Sequence, residues 1–369
     1  MAGMLIRGGL LQIVTLGIYR FWYTTNIRKF LWGRTSVKGD ALEYTGTGKE
    51  LFIGFLIAMA VLLPLYLAIA VLPIILESPF IYVVFLPATA FLGQYAVYRS
   101  RRYRLTRTAW RGLRFHQTGS AWRYAVLSSG WTIAVILSVG LLYPFARASL
   151  ERFKVNNTWY GNRQATFSGT GRSFYAQTWQ FWLIVIGPAA AIARYSYYSN
   201  SWMMTFHEPK EIFISIFIIF DNAVTWLLIA GFLLLPWFWA ASFRWWADNI
   251  RFGDARAHSE LPGDAFYGPY VLYGLSLVGL GILVGLPIGV FTFLESEALT
   301  AIATGVGYII YFVGLGVLYQ LLVARAVWQR QWESLNIEGL EDLNSVRALG
   351  EQATAFGEGL LDALDVGGI

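Results

Sequence analysis

The chain has 369 residues, of which 56% are hydrophobic and 14% charged, with a mean hydropathy of +0.51 and a formal net charge of +6. Soluble domains carry about 25% charged residues, so a soluble enzyme, a disordered tail and a secreted disulfide scaffold are excluded. The chain has no cysteine, which also removes thiolate metal sites and cysteine nucleophiles.

Residues 1–9 carry one Arg and lead into apolar sequence without a small-residue cleavage site, so no cleavable leader is expected. Eight hydrophobic segments are expected, at about 8–25, 51–76, 79–98, 124–145, 174–193, 212–240, 267–293 and 299–323. Those over Leu51–Leu76, Ile212–Ala240, Tyr267–Phe293 and Leu299–Val323 reach the roughly 20 residues of a membrane crossing. Connectors 28–50, 99–123, 147–172 and 244–256, with the exit from the last segment, hold 24 of the 28 Lys and Arg residues. The turns near Glu77, Glu208–Glu211 and Glu295–Glu297 hold only Lys210. Because Lys and Arg accumulate on cytoplasmic loops, the basic connectors and the C-terminus are expected in the cytoplasm.

The connectors resemble one another. Asp40-Ala-Leu-Glu-Tyr-Thr-Gly-Thr-Gly48 matches Gln164-Ala-Thr-Phe-Ser-Gly-Thr-Gly171, and Phe115-His-Gln-Thr-Gly119 is a shorter copy. Gly46 and Gly169 lie 123 positions apart, and Arg28 and Arg152 lie 124 apart, which suggests a tandem repeat. Alternating apolar positions such as Leu42 and Tyr44, bounded by glycines, predict short β-hairpins at the cytoplasmic surface. The expected fold is therefore an all-α polytopic membrane protein with about eight hydrophobic segments in tandem repeats and short cytoplasmic β-hairpins. Its expected divisions are a first membrane repeat (1–115), a second (116–258), a helix pair (259–334) and an acidic cytoplasmic tail (335–369). Apolar residues of that tail recur at helical spacing, predicting an amphipathic acidic helix.

Segment 124–145 poses a conflict. One crossing would put either 99–123, with eight Arg and no acid, or 147–172 outside. A segment that enters and returns, bending at Val139-Gly-Leu-Leu-Tyr-Pro144, removes the conflict. The corresponding Leu16-Gly-Ile-Tyr-Arg-Phe-Trp22 is then expected to bend likewise.

Thr15-Leu-Gly-Ile-Tyr-Arg-Phe-Trp22, Glu43-Tyr-Thr-Gly-Thr-Gly-Lys-Glu-Leu-Phe52 and Tyr103-Arg-Leu-Thr-Arg-Thr-Ala-Trp-Arg-Gly112 resemble the YjgN family of bacterial inner-membrane proteins. Asn157-Thr-Trp-Tyr-Gly161 and Pro236-Trp-Phe-Trp239 fit as well, so the resemblance runs from about Leu10 to Trp332. It implies a multi-pass protein of the bacterial inner membrane without an established biochemical function. It also implies a membrane-associated metallopeptidase as a candidate partner.

Catalytic motifs are mostly missing. His207-Glu208-Pro209-Lys210-Glu211 fails as a zinc helix at its last position, and its proline breaks the helix. Gly46-Thr-Gly48-Lys49 lacks the spacing of a phosphate loop and reads as a hairpin turn that needs positive φ. Gly281, Gly285 and Gly289 read as a helix-packing face. No cofactor is expected.

Two sets of candidate residues remain. Asp221 and Asn222 sit about ten residues into an apolar segment, where a carboxylate is paired or functional. Arg194 is a candidate partner, and Arg20 is the second charged residue inside an apolar stretch. The run containing Arg99, Arg101, Arg102, Arg104 and Arg107 is a candidate site for anionic lipid headgroups or a protein partner, ahead of nucleic acid. The leading functional expectation is a non-enzymatic scaffold or partner-binding subunit in contact with the lipid bilayer. The alternative is a transporter or channel working through Asp221 and broken helices.

Overall fold

A computed structural model of the chain describes residues 1–75, 80–138, 140–201, 209–341 and Val346. Four two-residue turns organise it. Lys38-Gly39, Arg111-Gly112, Gly161-Asn162 and Gly253-Asp254 each close a tight antiparallel hairpin. In the first two, both central residues have positive φ (49° and 89°, 49° and 75°), the geometry that matches the twist of the flanking strands.

The hairpins are β1 (Ser36–Val37) with β2 (Asp40–Tyr44), β3 (Thr108–Trp110) with β4 (Leu113–Gln117), β5 (Thr158–Tyr160) with β6 (Arg163–Phe167), and β7 (Ile250–Phe252) with β8 (Ala255–Ser259). A last strand, β9 (Leu335–Glu338), follows. Each hairpin pairs with the next, so the nine strands form one antiparallel sheet in sequence order.

The helices lie before and between these hairpins. Helices α1 (Ala2–Val14) and α2 (Arg20–Trp32) precede β1, and α3 (Gly48–Ile75) and α4 (Phe80–Thr106) run from β2 to β3. Next come α5 (Ala121–Leu137) with α6 (Tyr143–Asn156), then α7 (Gly171–Ser201) with α8 (Pro209–Asp248). Helices α9 (Tyr267–Phe293) and α10 (Glu297–Leu318) pass through a π-helical stretch (Tyr319–Ala324) into α11 (Arg325–Glu333), which leads to β9.

This corrects the expected all-α fold. The chain is mostly helical, yet its hairpins are joined into a single nine-stranded sheet. The physical reason lies in the edges: an isolated two-stranded hairpin is marginal in water, and its open edges are satisfied only by pairing with another strand. The expectation of about eight hydrophobic segments is corrected as well. Among the described residues, three helices are long and apolar enough to cross a membrane: Gly48–Leu72, Tyr267–Phe293 and Glu297–Glu333. Segments 8–25 and 124–145 fall short because each is broken in two. Gly17 and Gly140 both have φ of +88° and both donate their N–H to a carbonyl five residues back. The expected bends are therefore present, and β4 and β5, at the two ends of the α5–α6 excursion, are hydrogen-bonded neighbours.

The helix roots are pinned by side chains. At the start of α3, Glu50 accepts from the Tyr103 hydroxyl at 2.8 Å and from Arg107 Nε at 2.9 Å, which ties it to the end of α4. At the start of α7, Ser173 accepts from Nε1 of the fully buried Trp245 in α8 at 2.9 Å. Phe174 packs edge-on against Trp245 with ring centres 4.8 Å apart. The sheet curls far enough that its outer edges are bridged by side chains. Trp32 stacks on Trp328 at 4.6 Å, Trp328 Nε1 donates to Thr35 Oγ1 at 2.8 Å, and Lys38 meets Glu341 at 2.7 Å.

Two glycine expectations are also corrected. Gly46 and Gly48 are not the hairpin turn, which lies at Lys38-Gly39. They are small because rings cover them: a Cβ would come within 2.7 Å of the Tyr44 ring at Gly46 and of the Trp22 ring at Gly48. Gly281, Gly285 and Gly289 face open space within the chain, and the close helix contacts are made by Gly307 against Val284 and Gly314 against Leu280. Gly48→Ala should therefore lower stability by about 1–3 kcal/mol, since the Trp22 backbone is also in the way. Gly285→Ala should leave it unchanged or raise it by up to about 1 kcal/mol, the helix-propensity gain. Thermal unfolding of the two purified variants checks the difference in sign.

Candidate functional site

The last turns of five helices end on the inner face of the curled sheet, and a cavity of about 530 Å³ lies between them. The strand alternation read from the sequence supplies its floor: in β2, Leu42 and Tyr44 are buried while Ala41 and Glu43 are exposed. Val37, Trp110, Tyr160, Phe252 and Ile337 each stand immediately before a two-residue turn or its equivalent in β9, and all five line the cavity. The helices add Trp32, Leu105, Val155, Trp246, Trp328 and Trp332.

Hydrogen bonds within the wall hold several of these rings. Trp32 Nε1 donates to Thr108 Oγ1 at 3.0 Å, and the Tyr160 hydroxyl donates to the Trp110 carbonyl at 2.9 Å. Among the described residues, the charged side chains in the lining are those of Arg101, Arg104 and Arg256. Arg101, Arg104 and Leu105 follow the i, i+3, i+4 spacing of one helical face, and all three line the cavity, joined by Thr108 at the start of β3.

Behind Arg101 is a buried ionic cluster. Its Nη2 donates to Thr158 Oγ1 at 3.3 Å, and Thr158 in turn donates to the Lys154 carbonyl at 2.8 Å. Lys154 Nζ is 2.7 Å from Glu151 Oε1, and Arg147 is 3.3 Å from the same oxygen. Burial pulls the Arg101 guanidinium below its ordinary value, with Glu151 opposing. Burial pushes the Glu151 carboxyl upward, but Lys154 and Arg147 outweigh it and hold the group below the usual carboxylate range. Burial also brings Lys154 down to about 8, against the attraction of Glu151.

The structure therefore divides the arginine run that the sequence singled out. Arg101 and Arg104 face the cavity. Arg107 pairs with Glu50 and lies 5.6 Å from the centre of the Tyr103 ring. Arg102 donates to the Gly119 carbonyl and lies over Tyr98, and Arg99 is half-buried on α4. Arg20 opens α2, with its N–H bonded to the Gly17 carbonyl at 3.1 Å. Arg194 is exposed on α7. The side chains of Asp221 and Asn222 lie outside the described residues.

Sequence reasoning missed the cavity walls, above all Trp110, Tyr160, Trp328 and Arg256. A signal was available in the large apolar residue before each tight turn, in Val37-Lys-Gly39, Trp110-Arg-Gly112, Tyr160-Gly161, Phe252-Gly253 and Ile337-Glu-Gly339.

Fold and site define a protein of helical hairpins rooted in one curled antiparallel sheet whose inner face lines an aromatic, arginine-bearing hollow. Over residues 1–363 the chain matches the family described as "Bacterial protein of unknown function (DUF898)", and it belongs to that family, the YjgN type. No curated protein and no solved structure matches it.

The ionic cluster gives a pH dependence with two limbs. Glu151 is depressed in the folded chain, so its contribution is present above the usual carboxylate range and is lost as pH falls through its lowered folded value. Lys154 is also depressed, so the unfolded chain binds more protons between about 8 and 10.5 and stability rises with pH there. Glu151→Gln leaves buried cations without their anion and should cost about 3–5 kcal/mol at pH 7. Unfolding curves measured from pH 3 to 10 should show the variant losing the acid limb.

Proposed function

We propose that this chain is a multi-pass protein of the bacterial inner membrane that works as a scaffold or partner-binding subunit and not as an enzyme. The observation that carries the reading is the sequential pairing of strands, because each helical excursion between hairpins returns to the sheet it left. Helix α3 therefore requires a return leg, and α4 supplies it between the paired strands β2 and β3. Helices α9 and α10 make a second excursion, from β8 to β9.

All four basic connectors converge on this one layer, and the loop-charge rule then sets the layer at the cytoplasmic face, beside anionic lipid headgroups. The shorter pairs α1–α2 and α5–α6 have helices of 13 to 17 residues, or about 20–25 Å at 1.5 Å per residue. That is less than the roughly 30 Å hydrocarbon core, so these pairs dip into one leaflet and return. Their tips are apolar and exposed, with Leu16 at 93% and Leu137 at 80%. In water, apolar surface on this scale would drive aggregation.

The absence of native cysteine makes the test direct. Single cysteines at the exposed positions Glu43, Asn162 and Asp254 should resist a membrane-impermeant thiol reagent added outside intact cells, and should react in inverted vesicles. Cysteine at Glu297, which opens α10 after the turn from α9, should show the opposite pattern. Labelling of Glu43 and Asn162 positions from different sides would overturn the single-layer topology.

A further inference from the structure

We infer that the two short helix pairs, α1–α2 and α5–α6, form a wedge in the sheet-side leaflet, so that the chain gathers where the membrane is convex on that side. Each pair has one apolar leg and one charged leg. No charged residue falls between Arg7 and Arg20 or between Arg123 and Arg147. The returning legs differ: α2 holds Arg20, Arg28 and Lys29, and α6 holds Arg147, Arg152 and Lys154. After the bends at Gly17 and Gly140, two and six uncharged residues precede the next charge. At 1.5 Å per residue these are rises of about 3 and 9 Å. The bends therefore lie no deeper than interfacial helices do, about 5–10 Å, because drawing the charged legs further into hydrocarbon is costly.

The bends present the exposed apolar residues Leu16, Ile18, Leu137 and Leu141. Both pairs are fastened to longer helices. A Cβ at Gly9 of α1 would come within 2.8 Å of Val313, near the sheet end of α10. The Ser128 hydroxyl of α5 donates to Gln94 Oε1 of α4 at 2.8 Å, and the Tyr175 hydroxyl of α7 donates to the Leu141 carbonyl at the second bend. Held in this way, the pairs displace lipid from one leaflet. At a helix diameter of about 10 Å, four helices add roughly 300 Å² of cross-section there, while the opposite leaflet meets the long helices. Convex curvature spreads the head groups of the leaflet that must take in the extra area, which is why shallow insertion is curvature-sensitive. The inference rests on the membrane placement proposed above.

The test uses the full chain in giant vesicles from which a narrow membrane tube is pulled outward. Because the chain has no native cysteine, an impermeant dye added outside marks one orientation with Asp254→Cys and the other with Glu297→Cys. Relative to a lipid dye, molecules marked at position 254 should be enriched about twofold in the tube, and those marked at 297 depleted about twofold. Leu16→Asn combined with Leu137→Gln, both at exposed positions, should bring the two ratios back to about one. Asn also tolerates the φ of +50° at position 16 better than Leu does. Each single variant should lose about half of the effect, and the singles serve should the double variant not fold.

Equal ratios for the two orientations would overturn the inference, as would full enrichment in a folded tip variant. Either result leaves the placement standing if positions 254 and 297 label from opposite sides of intact cells. Labelling of both from one side would overturn the placement and the inference with it.

Discussion

Pairing between successive hairpins is the constraint on which the rest of the molecule depends. Residues Leu42–Tyr44 align with Thr108–Trp110, Phe115–Gln117 with Thr158–Tyr160, and Ala165–Phe167 with Ile250–Phe252. Each of these contacts fixes the ends of a helical excursion at the spacing of neighbouring strands, about 4.8 Å. Nothing in the constraint fixes the length of the excursion. Helices of 17 and 14 residues fit between β4 and β5, and helices of 31 and 40 between β6 and β7. The sheet can thus carry deep and shallow helix pairs side by side, and a basic connector at the root of each pair meets the others in one layer.

Because the ends are fixed, the helix roots can hold polar groups that would otherwise be costly to bury. Glu50 is bonded by the hydroxyl of Tyr103 and by Arg107, and Glu151 is paired with Lys154 and Arg147. These ties use up some cations of a run that looks uniform in sequence. Arg107, just past the end of α4, reaches Glu50 of α3, while Arg101 and Arg104 fall on the face of α4 that meets the cavity. Three residues separate an arginine tied to α3 from one that lines the cavity.

Much of the local structure was legible in the sequence. The hairpin character around Leu42 and Tyr44 follows from period-two alternation, and the breaks at Gly17 and Gly140 follow from glycine within short apolar runs. The return of α5–α6 to the layer it left was legible from charge alone. Edge-to-edge pairing was not, because each contact joins strands separated by a helix pair and has no local signature. The glycines show the same limit. Gly46 and Gly48 were recognisable as necessary, but their reason is the approach of the Tyr44 and Trp22 rings and not a turn. The cavity was hidden because its walls come one to three residues at a time from nine strands and five helices.

A hollow of this size needs a physical reason to persist. The walls do not simply close over it, because the rings are tied. Turning Trp32, Tyr160 or Trp328 into the space would break its bond to Thr108, the Trp110 carbonyl or Thr35, at about 1–3 kcal/mol for each buried partner left unsatisfied. Water fills such a space well only where two to four polar partners converge on each molecule, and here they gather near Arg101, Arg104 and Gln331 while aromatic and aliphatic side chains make up most of the lining. The ties therefore keep the hollow between the helix roots open, polar beside Arg101, Arg104 and Gln331 and apolar along the rings.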